Sequence, residues 1–109
     1  MNLKELTLNY FKTFSSQDPD GLRGLFSNDV YLRDWEINVE GIDGVVAANK
    51  GIFDSVDTIN VVPVKICETG NMTISEIEVH VNSTEVLKVV DVIEFDSEGK
   101  IVAVRAYKG

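Results

Sequence analysis

One cysteine, one histidine and two prolines are all that this chain of 109 residues holds of those types, and its 10 basic residues face 18 acidic ones. A single cysteine, Cys67, excludes an internal disulfide and suits a reducing compartment. The one histidine, His80, shares a strand face with Glu76 and Glu78. A solvated or subunit-facing stripe explains that face more simply than a ligand set, so no metal site is expected. The formal net charge of -8 repels phosphate backbones and anionic bilayers, which removes nucleic acid and membranes from the expected partners. No apolar run approaches the ~20 residues that span a bilayer. Met1 to Glu5 lacks the shape of a signal peptide, so a cytoplasmic location is expected. There is no phosphate-cradling glycine loop, dinucleotide fingerprint or nucleophile elbow.

What is present is a globular composition, with 44% hydrophobic and 26% charged residues, and a length that fits one domain over residues 1–109. Its organising stretch is Val86 to Phe95, a Val- and Ile-rich strand. Alternation puts Leu87, Val89, Asp91, Ile93 and Phe95 on one face. Asp91 is thus a lone carboxyl group among large apolar neighbours. An ionised carboxylate is costly there unless paired, and a raised pKa keeps such a group protonated, as a hydrogen-bond donor. The alternative is a structural acid satisfied by a cation or backbone group, which is the commoner case; the strand alone leaves both open.

Helical spacing of Leu3, Leu6, Tyr10 and Phe14, broadened by Phe11, predicts a helix over 2–15 with Asn2 and Glu5 as a weak capping box. Tyr10 lies on the apolar stripe, so its hydroxyl points inward and needs a partner. Asp18-Pro19 opens a short second helix with Leu22, Leu25 and Phe26 as its apolar face, ended by Ser27-Asn28-Asp29. A strand follows, in which Val30, Leu32 and Asp34 alternate with Tyr31, Arg33 and Trp35; Asp34, near its end beside Trp35, is either a pocket acid or a turn former. A third helix is predicted over 43–54, with Val45, Val46, Asn49, Ile52 and Phe53 inward. Strands are predicted over 57–69, 72–82, 86–95 and 100–108, joined by hairpins, with Pro63 marking an edge or bulge. Segregated helices and strands imply an α+β fold, a curved antiparallel sheet wrapped around three N-terminal helices with a pocket between them. The expected pocket lining is Phe14, Trp35, Asn49, Phe53, Ile77, Val79, Leu87, Val89, Ile93, Val104 and Ala106.

This order of elements resembles the nuclear transport factor 2-like fold, a cone-shaped α+β barrel whose superfamily includes SnoaL-like proteins, scytalone dehydratase and limonene epoxide hydrolase. Three stretches resemble bacterial ketosteroid isomerase: Tyr10 with Asp18 eight residues on, Ser27 to Asp34, and Val89 to Asp96 with Gly99-Lys100-Ile101 and Ala106-Tyr107. The resemblance implies that Asp34 is a base moving a proton on carbon beside a carbonyl. It implies Tyr10 and a protonated Asp91 as donors to the enolate oxygen, the situation for which such isomerases are the type case. It also implies an apolar carbonyl ligand, no cofactor, and a homodimer through the outer sheet face, where Val90 and Val92 lie. Trp35 stands where a proline commonly follows the base, Phe26 and Asn49 where further tyrosines support the network, and Lys108 where a pocket aromatic is expected. These departures weigh against a steroid. A non-catalytic binding or assembly module and a SnoaL-like cyclase or dehydratase are alternatives. So is an epoxide hydrolase with an Asp-Arg-Asp set, although Arg33 alternates away from Asp34.

Overall fold

Capping fixes where the helices start. In the computed structural model, which describes residues 1–109, α1 (Leu3–Ser15) begins where the Asn2 side chain accepts from the Glu5 N–H at 3.1 Å. The second helix, α2 (Pro19–Arg23), begins where Asp18 accepts from the Gly21 N–H at 3.0 Å, with Pro19 in its first turn. There follow β1 (Phe26–Arg33), β2 (Asn38–Glu40), α3 (Ile42–Asp54), β3 (Ile59–Thr69), β4 (Met72–Val81), β5 (Glu85–Phe95) and β6 (Ile101–Lys108). No helix is long and apolar enough to cross a membrane.

The six strands form one sheet in the order β2-β1-β6-β5-β4-β3. The expected antiparallel meander runs from β3 to β6, but β1 pairs with β6 in parallel. A parallel pair needs a crossover, and α3 with the meander itself supplies it, so the sheet is mixed. It is also open, with β2 and β3 as edges, rather than a closed barrel. Register shifts between Phe26 and Tyr31, Pro63 and Lys65, and Glu94 and Phe95 bend it. Pro63 sits at a bulge in an edge strand, where its missing N–H is tolerated.

Phe26 is not on a helix face. Two glycines, Gly21 and Gly24, weaken helix propagation, α2 stops at Arg23, and Phe26 enters β1 opposite Ile101. The short β2 carries too few residues to show alternation, and β1 ends at Arg33, leaving Asp34 and Trp35 in the turn beyond it.

The concave face of the sheet packs on α1 and α3, with Leu22, Val30, Val45, Ile93 and Ile101 fully enclosed. Tyr10 lies at ring distances of 5.7 to 6.2 Å from Phe11, Phe14 and Phe26. Among the polar contacts that fix α1 on the sheet, one is wholly buried: the Thr7 and Thr73 hydroxyls are 2.7 Å apart. Replacing Thr73 alone by Val strands the Thr7 hydroxyl and is expected to cost about 1–3 kcal/mol, whereas the Thr7→Val/Thr73→Val pair should return close to wild-type stability. Urea denaturation of Thr7→Val, Thr73→Val and the pair checks this, and additive losses would refute it.

Candidate active site

Between α1, α3 and the concave sheet lies a cavity of about 190 Å³, lined by 16 hydrophobic residues and by Asp34, Asn49 and Asp91. Tyr10 and Phe14 enter from α1, Asn49 from α3, and Trp35 with Asp34 from the turn after β1. Ile77 and Val79 come from β4, Leu87, Val89 and Asp91 from β5, and Val104 and Ala106 from β6.

Two residues predicted as lining lie elsewhere. Ile93 is fully buried opposite Thr73, in the row that α1 covers through the Thr7 contact. Phe53 is buried behind Phe14, whose ring it meets edge-on at 5.0 Å. Lining residues not predicted include Phe11, Leu32, Ile52, Val56, Ile59, Val61 and Val81. For Leu32 and Ile52 the signal existed, since alternation in β1 and helical spacing in α3 already put both inward. Val56 lies in the connection after α3, where no periodicity applies.

Asp91 stands in register between Ser75 of β4 and Ala106 of β6. The Ser75 hydroxyl is buried without a partner, and no cation or hydrogen bond acts on the Asp91 carboxyl group. Burial first, and then the nearby charge of Asp34, push that carboxyl up to about 7. Its neutral, donating form therefore holds below pH 7 and gives way above it. Burial, reinforced by Asp91, drives the Tyr10 phenol far above its ordinary range, so it too stays a donor. Tyr10 and Asp91 feel one another electrostatically, but no hydrogen bond joins them. Both side chains line the cavity.

Asp34 is held differently. Its Oδ1 accepts from the backbone N–H groups of Glu36 at 2.7 Å and Ile37 at 2.6 Å, while its own N–H donates to the Ile37 carbonyl. This turn pins one carboxylate oxygen. Oδ2 accepts nothing from the protein. Asn49 is 2% exposed, and its Nδ2 has no partner. No three His, Cys, Asp or Glu side chains come together in a metal-binding group.

The Asp91 shift has a thermodynamic consequence. Because its pKa rises from 3.8 to about 7 on folding, the native state binds the extra proton between those values, and stability falls as pH rises. This contribution is complete below about pH 4 and lost as pH passes 7. Replacing Asp91 by Asn removes it, so the variant should gain on the wild type by up to about 4 kcal/mol between pH 4 and 8. Asp91→Leu should match or exceed wild-type stability above pH 7. Urea titrations at both ends of the window test both; a structural ion pair would instead make each substitution destabilising throughout.

A family model for the SnoaL-like domain matches residues 8–104. No curated relative matches the sequence. Among solved structures, a candidate SnoaL-like polyketide cyclase from Shewanella denitrificans superposes with a TM-score of 0.88 at 14% identity, over 98% of this chain and 90% of that one. A candidate ketosteroid isomerase from Kribbella flavida gives 0.84 at 15% identity, over 98% and 77%. A candidate isomerase of the SnoaL-like family from Agrobacterium tumefaciens gives 0.83 at 15% identity, over 96% and 95%. Likeness at these identities establishes the fold, nuclear transport factor 2-like, and the family match covers most of the sequence: the chain belongs to the SnoaL-like domain family.

Proposed function

We propose that this protein catalyses cofactor-free proton transfer on the carbon next to the carbonyl group of a small apolar, steroid- or polyketide-like ligand. The observation that carries the reading is one apolar cavity holding a desolvated acid, a buried phenol and a turn-clamped carboxylate. The ligand carbonyl lies toward Tyr10 and Asp91. Asp34, fixed through Oδ1, takes the α proton with Oδ2. Negative charge then develops on the carbonyl oxygen, where the phenol and the neutral carboxyl group donate to it in a water-poor setting that strengthens both bonds. Asp34 returns the proton to another carbon of the enolate and is regenerated. A cyclase needs the same first step, and differs only in that the enolate attacks a second carbonyl group. An Asp-Arg-Asp epoxide hydrolase is disfavoured, because Arg33 forms no part of the cavity wall.

Conversion of cyclohex-3-enone to its conjugated isomer, followed by ultraviolet absorbance, tests the reading. Asp34→Asn should lower the rate by about 10²–10⁴-fold. Asp91→Asn, which keeps a donor, should retain more activity than Asp91→Ala. Wild-type activity should fall as pH climbs past 7 and Asp91 loses its proton. A wild-type rate equal to buffer would favour a binding or assembly module.

We also propose that two copies pair through the convex sheet face, where Ile74, Val86, Val90 and Tyr107 are exposed. Sedimentation equilibrium at micromolar concentration should give a dimer mass; monomer alone would contradict the pairing.

A further inference from the structure

The mouth of the cavity carries the opposite charge to the rest of the molecule. The strand β1 ends at Arg33, paired with Arg105, while β6 runs on to Lys108. Beyond that pair β6 has no neighbour on this side, and a depression of about 280 Å³ opens there. Arg33, Arg105 and Lys108 all line it, in a chain with only 10 basic residues. It shares Asp34, Trp35 and Ala106 with the cavity, so the two spaces meet.

The cations differ in availability. Arg105 is committed to Glu94 and to the Tyr31 hydroxyl. Of the three cations lining the depression, Arg33 and Lys108 enter none of the chain's five ion pairs, which use Arg23, Lys50, His80, Lys88 and Arg105. Alternation along β6 puts Lys108 on the cavity side with Val104 and Ala106, whereas alternation along β1 puts Arg33 on the other face, so the two line the depression from opposite sides of the sheet. Its Nζ stands 5.7 Å from the centre of the Trp35 ring, which holds the ammonium over the mouth. The one acid in the depression, Asp34, has an oxygen already taken by two backbone N–H groups.

We propose that the ligand is an apolar carbonyl compound bearing a carboxylate, with the carboxylate at the mouth between Lys108 and Arg33 and the apolar body inside. This rests on the reading of the cavity as a carbonyl site and names the class of compound that it takes. The planar Arg33 fork suits a carboxylate. Two cations beside Asp34 suit one negative charge better than a phosphate dianion. Outside this mouth the net charge of -8 disfavours any anion, so the two cations also select where the ligand enters.

Methyl NMR titration of the whole chain tests this with 2-naphthoate and its neutral counterpart of similar shape, 2-acetylnaphthalene. The methyl signals of Val79, Leu87 and Val104 report entry into the cavity. Both ligands should shift them. The Lys108→Gln/Arg33→Gln variant should weaken 2-naphthoate about fivefold and leave 2-acetylnaphthalene within about twofold. Equal effects on both ligands, no effect on either, or entry by 2-acetylnaphthalene alone would overturn the carboxylate while leaving the carbonyl site standing. Entry by neither would overturn both.

Discussion

A carboxyl group with no hydrogen-bond partner from the protein, set in an apolar concave surface, can reach a tolerable free energy only by keeping its proton. Asp91 is in that position, between Ser75 and Ala106 and behind a wall of apolar side chains. Burial is the larger cause of its shift to about 7, and the charge of Asp34 adds to it. Nothing in the fold gains from the group in return. Removing it should stabilise the chain at neutral pH, which marks Asp91 as a residue that packing alone does not account for.

The sheet arranges the remaining groups around that constraint. Bulges at three places curve the strands so that their inner faces close over α1 and α3. The Thr7 to Thr73 contact seats α1 on the row beside Asp91 and carries Tyr10 into the cavity wall. The early end of β1 does two things at once. It places Asp34 in a turn whose backbone N–H groups fix its orientation, and it uncovers the last residues of β6, where Lys108 meets Trp35. Two carboxyl groups in one cavity are thereby given different surroundings, one desolvated and one bonded to backbone donors.

Much of this was legible in the sequence, because strand periodicity is a direct record of which face is buried. The alternation from Leu87 to Phe95 put Asp91 on the concave face, and the alternation of Val30, Leu32 and Asp34 pointed the second acid the same way. The helix caps at Asn2 and Asp18 and the bulge at Pro63 were equally plain, each being a local matter of backbone chemistry. What escaped depended on pairing between distant segments. The parallel union of β1 with β6 and the brief β2 leave no local pattern. Phe26 reads as helical by spacing until Ile101 claims it as a strand partner. Ile93 shares a face with Asp91, yet the row it occupies is covered by α1, and no spacing rule reports that. That Lys108 meets Trp35 rather than an acid likewise depends on how β1 and β6 end beside one another.

The central claim is that the Asp91 carboxyl group is neutral because of where the sheet puts it. Carbon-13 NMR titration of aspartate side chains, with the Asp91 signal assigned by its loss in an Asp91→Asn variant, measures this directly. The account predicts a carboxyl resonance titrating near pH 7. A midpoint at or below about 4, the ordinary range of an aspartate, would contradict it and end the case for a neutral donor in this cavity.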